Sequence, residues 1–279
     1  MMVETLRPGD HVCWTVGTDD EQLQVTSRYI RDGLARRHRI VYFTHAMMPQ
    51  AVSAGLEASG VPVAAAVAAG QLRISSSTGG YLKSGGFDAA AMPAAWAAEQ
   101  DAAREAGWSG LRAIGDMSWA ASQLPGTEDL PAYEAQVNRV FAEGYAMALC
   151  LYDRRLFTPA ELTGTISAHP CAKGADDGEL WEPALRMRYT TDPYRLTLHG
   201  EIDAANRDAV AAMLATLAGE SAAAGLPGEV DLSGVAVYDV STATRLVHAR
   251  EAGTIRLVGA TPQLTKLIGL ISATAGGLG

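Results

Sequence analysis

The sequence predicts an α/β protein in two parts, a parallel sheet with helices on both faces followed by a smaller sheet packed with helices. Three observations carry this prediction. Strand-like and helix-like apolar runs alternate up to about residue 170, the pattern breaks at 170–183, and strands and helices resume after the break. The 279 residues are enough for two ordinary domains, each with its own core.

Five apolar runs predict the strands of the first part. They are HVCWTV, RIVYFTHA, QLRISSST, GLRAIGDMSWA and AMALCLYDRRLF. Because each is separated from the next by a helix-like segment, the strands are expected to be parallel, with helices covering both faces of the sheet.

Apolar residues at helical spacing predict six helices in the same part. They lie in DDEQLQVTSRYIRDGLARRH, MPQAVSAGLEASG, PVAAAVAAG, AAAMPAAWAAEQDAAREAG, DLPAYEAQVNRVFAEG and TPAELTGTISAH. Pro49 and Gly60 mark the start and end of the second helix, and Gly70 ends the third. Pro93 is expected in a first turn, because proline inside a helix breaks it.

A domain boundary is predicted in PCAKGADDGELWEP, where Gly, Pro and acidic residues leave no periodicity. The predicted division is a domain over 1–172, a linker over 173–183 and a domain over 184–279. The second domain contains the strand candidates ALRMRYTTD, YRLTLHGEI, GEVDLSG and TIRLVGA, with helices in AANRDAVAAMLATLAGESAAAG, after Ser241 and in PQLTKLIGLISA.

Composition and charge limit the classes of partner and the location that are expected. The net charge of −9 and the pI near 5.1 disfavour nonspecific attraction to nucleic acid or anionic lipid, so neither is an expected partner. No apolar run reaches the roughly 20 residues of a membrane span, and the N-terminus has no leader pattern, so a cytoplasmic location is expected. Cys13, Cys150 and Cys171 are too few for a disulfide framework. The oligomeric state is open, and a homodimer is compatible with the sequence.

The stretch VDLSGVAVYDVSTATRL places hydroxyl groups where a strand leads into a helix. It is interpreted as an apolar run closed by Asp231, a turn at Gly234, a second apolar run, and the cap of a helix. A serine here caps free backbone N–H groups, and a phosphate on it suits the positive end of the helix dipole. Ser241 is therefore either a plain N-cap or a chemical switch.

The segments YRLTLHGEIDAAN, VDLSGVAVYDVSTATRL and IRLVGATPQLTKLIGL occur in an order that resembles the STAS domain of anti-sigma factor antagonists, over most of 184–275. The resemblance implies a domain that binds an anti-sigma factor, which is also a Ser/Thr kinase. It also implies that phosphorylation of one serine of the domain releases the anti-sigma factor. It places Ser241 at the phosphoacceptor position and Asp239, Ser241 and Thr242 on the partner surface. Val240 and Thr242 depart from the family's Asp-Ser-Ser-Gly pattern.

The first part has its own resemblance. RPGDHVCW, GLRAIGDMSWA, YEAQVNRVF, LCLYDRRLFTPAEL and AHP follow the order and spacing of the MEDS domain, a sensory domain named after methanogens and methylotrophs, across about 5–172. The resemblance implies a RecA-like three-layer α/β/α fold, related to KaiC-like P-loop proteins, that senses small molecules, hydrocarbon derivatives among them. Asp116 stands where the family more often has Glu.

Nine residues are predicted to line a ligand pocket, because ligands of open parallel sheets bind beyond the carboxyl ends of the strands. They are His11, Cys13, His45, Tyr81, Asp116, Trp119, Tyr133, Glu134 and Asn138. Tyr81 lies in a glycine-rich loop that is either a lid or ordinary surface. Asp116, beside Trp119, either binds a polar ligand group or caps the next turn.

His11, Cys13 and His45 are open to two interpretations, a metal site and simple packing. His11 and Cys13 are two apart on a strand and face one side, and His45 ends another strand candidate, so the set suits zinc, copper or haem iron. Buried histidine and cysteine on strands are more often packing residues. No metal site is therefore predicted, and the cofactor is unknown.

The sequence thus predicts a non-enzymatic regulator with a small-molecule sensor domain and a STAS output domain that binds an anti-sigma factor or Ser/Thr kinase. The first strand is followed by TVGTDDEQLQ, which lacks the lysine and the glycines of a phosphate loop. The alternatives are a degenerate RecA-like nucleotide-binding enzyme and a ligand-free interaction scaffold.

Overall fold

Two separate β-sheets organise the chain in the computed structural model, which describes residues 3–83, 85–122, 124–174, 177–178, 181–252 and 255–276. The first sheet has six strands and the second has four, and helices pack on both. The predicted α/β class is therefore confirmed, with a large parallel sheet first and a small sheet after it.

The large sheet is entirely parallel, in the order β3-β2-β4-β5-β1-β6. Its strands are β1 (His11–Val16), β2 (Arg39–Thr44), β3 (Leu72–Ser76), β4 (Leu111–Asp116), β5 (Ala146–Asp153) and β6 (Cys171–Lys173). The five predicted strands are present. The sixth, β6, was missed because three residues are too few to show a periodicity, and it pairs with β1 at the edge of the sheet.

Six helices cover this sheet. They are α1 (Asp19–Ala35), α2 (Pro49–Ala58), α3 (Val63–Ala68), α4 (Met92–Glu105), α5 (Leu130–Ala142) and α6 (Pro159–Ser167). Alternate strand residues face opposite sides of the sheet. Ile40 belongs to the core beneath α1 to α3, while Val41 belongs to the core beneath α4 to α6. The result is three layers, with an apolar core on each face of the sheet. Pro93 lies in the first turn of α4, as expected.

The small sheet has the order β10-β9-β8-β7, with only β7 antiparallel to its neighbour. Its strands are β7 (Leu185–Thr191), β8 (Tyr194–Ile202), β9 (Gly228–Tyr238) and β10 (Ile255–Val258), and its helices are α7 (Arg207–Ala223), α8 (Val240–Glu251) and α9 (Pro262–Gly276). Across the described residues, no helix combines the length and the apolarity that crossing a membrane requires.

Gly234 does not form the predicted turn. Strand β9 continues through it, and its pairing with β8 shifts register between Thr197 and His199. A Cβ atom at Gly234 would lie 2.7 Å from the His199 ring. The glycine therefore permits a close approach of the His199 side chain inside the strand, which a sequence pattern cannot distinguish from a turn.

The predicted linker, 173–183, is partly structured. Lys173 belongs to β6, and the Trp181 ring contacts the Trp14 ring edge-on at a centroid distance of 5.7 Å. Positions 175–176 and 179–180 of this linker lie outside the described residues. The boundaries at 172 and 184 stay a prediction.

The two parts meet along helix α5, which packs against α7. Nε of Arg139 on α5 donates to the Glu220 carboxylate on α7 at 3.0 Å, and the Tyr189 hydroxyl donates to the same carboxylate at 3.0 Å. Ala142, also on α5, is buried in the core of the small sheet. Helix α5 thus belongs to the packing of both parts.

A buried cation stabilises the other side of the large sheet. Arg112 on β4 donates to the carbonyl oxygen of Tyr29 at 2.7 Å, donates to Nδ1 of His38 at 3.1 Å, and pairs with the Asp32 carboxylate. Burial, together with the positive charges of Arg112 and Arg36, lowers the pKa of His38 to about 4. His38 is therefore an uncharged acceptor in the folded protein.

This arrangement predicts a loss of stability in mild acid. Between pH 6.5 and 4 the unfolded chain protonates His38 but the folded chain does not, so the free energy of unfolding falls as pH falls. Replacing His38 with Gln keeps an acceptor for Arg112 and should make this loss smaller by up to about 3 kcal/mol. Urea denaturation at a series of pH values measures it. The exposed His248→Gln variant should behave as the wild type, and an unchanged profile for His38→Gln would contradict the assignment.

Candidate functional site

The nine residues predicted to bind a ligand do not form one pocket. Asp116 and His45 lie in a corner at the carboxyl ends of β4 and β2. Three lie in an aromatic group beneath the loop after β3, namely Tyr81, Trp119 and Tyr133. The others, His11, Cys13, Glu134 and Asn138, lie buried between β1, α5 and β5.

The Asp116 carboxylate is saturated by the protein's own groups. One oxygen accepts from the backbone N–H groups of His45 and Ala46, each at 2.9 Å, and from Gln22 Nε2 at 3.4 Å. The other accepts from the Ser118 N–H at 3.1 Å and from its hydroxyl at 2.6 Å. These hydrogen bonds favour the capping role of Asp116 over the ligand-binding role, because the carboxylate holds together the loops that follow β2 and β4.

The rings of the aromatic group pack mainly against one another and the core. The rings of Tyr81 and Trp119 stack with centroids 5.6 Å apart, and Trp96 Nε1 donates to the Tyr133 hydroxyl at 2.8 Å. Tyr81 is 4% exposed and Phe87 is 6% exposed, so the glycine-rich loop lays both rings into the core. In this conformation the loop is packed onto the sheet.

Tyr81 also reaches a cleft beside α4. The cleft has a volume of about 560 Å³, within the range of ligand pockets. Its wall is apolar and aromatic, with charged residues nearby; it includes Phe43, Tyr81, Met92, Trp96, Arg39, Arg73, Lys83 and Glu99. Of the nine predicted residues only Tyr81 belongs to this described cleft, and sequence periodicity gave no reason to select Phe43 or Trp96, which look like ordinary core residues.

The third group is a buried cluster of polar side chains, which we name the buried polar cluster: His11, Glu134, Asn138, Cys150, Tyr152 and His169. Nε2 of His11 lies 3.2 Å from Glu134 Oε2 and 3.3 Å from Cys150 Sγ. Nε2 of His169 lies 3.5 Å from the same Glu134 oxygen. All six residues are at most 5% exposed, so their polar atoms must satisfy one another.

The hydrogen bonds around the cluster fix the orientation of its rings. Asn138 Nδ2 donates to three carbonyl oxygens, at 2.9 to 3.0 Å, so its Oδ1 is the acceptor for His11 Nδ1 at 2.9 Å. His169 Nδ1 donates to the Thr165 carbonyl oxygen at 2.7 Å. The Tyr152 hydroxyl donates to Glu134 Oε1 at 2.9 Å. Both histidines therefore direct Nε2 at the Glu134 carboxylate.

Burial and charge shift the pKa values of the cluster. Burial opposes ionisation of Glu134, but attraction to the two histidines and the Tyr152 hydrogen bond outweigh it and hold its pKa below the ordinary value. Burial, reinforced by His11, lowers the pKa of His169 to about 4. Burial and the Glu134 charge raise the pKa of the Cys150 thiol well above its ordinary value. The cluster thus contains a carboxylate anion in the core.

His11, Cys13 and His45, the set that would suit a metal, do not lie together. Strands β5 and β4 lie between β1 and β2, so three strand spacings of about 4.8 Å separate the rows that hold His11 and His45. His45 instead has its Nδ1 at 2.8 Å from the Ser77 hydroxyl. Cys13 is fully buried beside the cluster, in register with Cys150 on β5.

Sequence analysis missed Cys150, Tyr152 and His169. Cys150 and Tyr152 are two residues apart on β5, so their side chains point to the same face of the sheet, the one that α5 covers. In sequence they look like packing residues until β5 is known to pair with β1. His169 follows α6 and enters the cluster only because the chain turns there into β6. These residues come together only through the pairing of β1 with β5, and local sequence patterns do not encode that pairing.

The predicted partner residues of the C-terminal part lie at the start of α8. Asp239, not a hydroxyl, is the N-cap, and its carboxylate accepts from the Thr242 N–H at 2.7 Å. Ser241 is exposed in the first turn of the helix. Thr242 was expected on the partner surface, but it is only 4% exposed and its side chain is buried. Its hydroxyl points to the Ile202 carbonyl oxygen at 3.5 Å.

Exposed apolar side chains flank Ser241. Val240 is 64% exposed and Val237, at the end of β9, is 48% exposed. Asp239 already caps the helix, and the Ser241 hydroxyl makes no hydrogen bond to the described residues. The surface defined by Val237, Asp239, Val240 and Ser241, which we name the α8 surface, presents a free hydroxyl between apolar groups.

The fold and these sites define a three-layer α/β arrangement with an enclosed polar cluster, followed by a separate small sheet with its own helices. A family model described as "MEDS: MEthanogen/methylotroph, DcmR Sensory domain" matches residues 10–170, which is more than half of the chain. The chain therefore belongs to the MEDS family, and a sensory role in signalling follows from this membership. The match ends at 170, so the STAS resemblance stays a prediction.

The solved structures similar to this chain include the crystal structure of the KaiC-like protein PH0186 from the hyperthermophilic archaeon Pyrococcus horikoshii OT3, with 12% sequence identity and a TM-score of 0.43. The similarity covers 69% of this chain and 79% of that one. No curated protein is significantly similar in sequence.

The corner around Asp116 predicts a stability effect. Replacing Asp116 with Asn turns one acceptor oxygen into a donor that faces backbone N–H groups, which should lower the free energy of unfolding by about 1–3 kcal/mol. Urea denaturation of the full chain measures this. The exposed Asp129→Asn variant is the matched control and should stay within about 0.5 kcal/mol of wild type. Equal stabilities for the two variants would refute the capping role.

Proposed function

We propose that the chain is a non-enzymatic signalling regulator. Its MEDS domain senses a small molecule, and its C-terminal part acts as a STAS domain that binds an anti-sigma factor which is also a Ser/Thr kinase. The resemblance of residues 184–275 to anti-sigma factor antagonists supports the second half of this proposal. The four-stranded sheet with three helices is compatible with it.

The observation that carries the output half is the exposed Ser241 in the first turn of α8. A phosphate at this position adds nearly two negative charges close to the positive end of the helix dipole, so the helix tolerates it. The same charge would stand between Val237 and Val240 and would oppose docking of an apolar or acidic partner surface. Phosphorylation thus switches binding without unfolding the domain.

The cleft beside α4 is the proposed ligand site. Phe43, Tyr81 and Trp96 supply an aromatic wall, and five charged residues also line the cleft, of which Arg73 and Glu99 pair with each other. An aromatic wall beside charged groups suits a small molecule that is largely apolar and carries a polar group. This agrees with the hydrocarbon derivatives that the family resemblance implies.

Helix α5 is the proposed connection between input and output. Tyr133 on α5 accepts the hydrogen bond from Trp96, which lines the cleft. Arg139, less than two turns further along the helix, pairs with Glu220 of the C-terminal part. A ligand transmits a signal only if it binds one arrangement of these contacts more tightly than another.

The loop after β1 supports a sensor over a nucleotide-binding enzyme. The Gly17 N–H donates to the Glu21 carboxylate at 2.6 Å, and Arg154 pairs with the same carboxylate at 3.4 Å. A carboxylate thus takes the backbone donor that a phosphate group would need at this helix start. We therefore propose that the domain does not hydrolyse nucleotides.

The output proposal is tested with the anti-sigma factor kinases encoded in the same genome. Incubation with these purified kinases and ATP should place one phosphate on Ser241, as read by peptide mass spectrometry, and Ser241→Ala should remove it. Ser241→Asp should weaken binding to the same kinase at least about tenfold, which is about 1.4 kcal/mol.

The matched control is Ser233→Ala, which removes another exposed hydroxyl, on β9. It should be phosphorylated and bound as the wild type is. Modification of a residue other than Ser241, or equal binding by Ser241→Asp and wild type, would contradict the switch. Lack of binding to every such kinase would contradict the partner.

The sensor proposal is tested with toluene as an apolar probe and isothermal titration calorimetry. Ala95 lies on α4 and lines the cleft, so Ala95→Phe fills it and should weaken toluene binding at least about tenfold. Ala94 is exposed on the same helix and is not among the residues of the cleft, so Ala94→Phe should bind as the wild type does. Equal affinity in both variants would place the ligand elsewhere.

A further inference from the structure

The buried polar cluster directs four potential metal-ligand atoms at one another. Nδ1 of His11 and of His169 each donates to an oxygen acceptor, so the ring atom that faces the centre of the cluster is Nε2 in both histidines. These two Nε2 atoms and the Glu134 carboxylate oxygen face one another, and the Cys150 sulfur lies beside them. Within the described residues Nε2 of His169, on a side chain that is fully buried, has no hydrogen-bond partner at all.

The spacing of these atoms fits the shell around a metal ion. The ligand atoms of His11, Glu134, Cys150 and His169 all lie within 4.8 Å of one another, and four of the separations are 3.2, 3.3, 3.5 and 3.9 Å. A tetrahedral zinc ion with ligands at about 2.0–2.3 Å holds neighbouring ligand atoms about 3.3–3.7 Å apart. Small rotations of the four side chains would complete that shell.

The surrounding residues are those that a metal centre requires. Histidine ligands normally donate their second N–H to a carbonyl or carboxylate oxygen, which fixes the ring and its tautomer. Here Asn138 and the Thr165 carbonyl perform this task for the two histidines, and Tyr152 holds the distal oxygen of Glu134. Asn138 is fixed in turn by three carbonyl oxygens.

Charge balance leads to the same conclusion. Glu134 is fully buried, and a carboxylate removed from water is stabilised by a cation beside it. A divalent ion bound by one carboxylate, one thiolate and two neutral imidazoles has no net charge. Cys150 loses its proton to solvent when the metal binds, so one proton is released for each ion.

We infer that His11, Glu134, Cys150 and His169 bind a structural zinc ion in the core of the MEDS domain. The ligand set of nitrogen, sulfur and oxygen suits zinc, and four protein ligands leave no open position for catalysis. The ion joins β1, α5, β5 and the segment that follows α6. The inference is independent of the cleft and of the α8 surface.

The metal content of the full-length chain tests this inference. Protein produced in zinc-supplemented medium, and purified without a histidine tag, should carry about one zinc per chain by inductively coupled plasma mass spectrometry. Cys150→Ala and His169→Gln should reduce this to below about a tenth. Cys13→Ala is the matched control, since Cys13 is a buried neighbour of Cys150 across the β1–β5 pair, and it should keep its zinc.

A second measurement does not depend on how the variants fold. Wild-type protein stripped with a chelator and refilled with Co²⁺ should show the absorption of tetrahedral cobalt together with a thiolate-to-cobalt charge-transfer band. The stripped protein should also melt at a lower temperature and recover with Zn²⁺.

Several outcomes would overturn the inference of a structural zinc site. Wild-type protein that neither contains zinc nor takes up Zn²⁺ or Co²⁺ would mean that a proton alone fills the cluster. Equal loss of zinc in Cys13→Ala and Cys150→Ala, or zinc retained in Cys150→Ala, would mean that these four residues are not the ligands. A different bound metal that Cys150→Ala removes would keep the site and overturn its assignment to zinc.

Discussion

The buried carboxylate of Glu134 is the constraint around which the N-terminal domain is arranged. A carboxylate that is almost fully removed from water needs polar partners, and the polar side chains around it come from β1, β5 and the segment after α6. Glu134 itself lies on α5, so the helix cannot slide along the sheet without separating the carboxylate from these partners. Apolar packing alone would fix the position of α5 less strictly, because it has little directionality.

The same helix supports the contact with the C-terminal part. Its inward residues, Glu134 and Asn138, belong to the buried polar cluster, while Arg139 and Ala142 meet α7 and the core of the second sheet. In the proposed function, helix α5 would carry a change in the cluster or the neighbouring cleft to this interface.

Local patterns predicted most of the elements, because five strands and six helices of the first part have clear apolar periods and recognisable ends. They failed where the outcome depends on partners distant in sequence. Strand β6 has three residues, and Gly234 looks like a turn until His199 is found against it. His45 was grouped with His11 because strand order is not visible in sequence, while Cys150 and His169 look like packing residues until β5 pairs with β1. The chemistry of the buried polar cluster is a property of the sheet topology.

The contribution of α5 to both cores also bears on how such proteins exchange parts during evolution. Domains that are joined only by a linker can be recombined freely, since neither surface depends on the other. Here Ala142 completes the core of the small sheet and Arg139 needs a carboxylate opposite it. A different C-terminal part could replace this one only if its own helix supplied a matching acid and an apolar surface for Ala142, so the two parts are expected to diversify together.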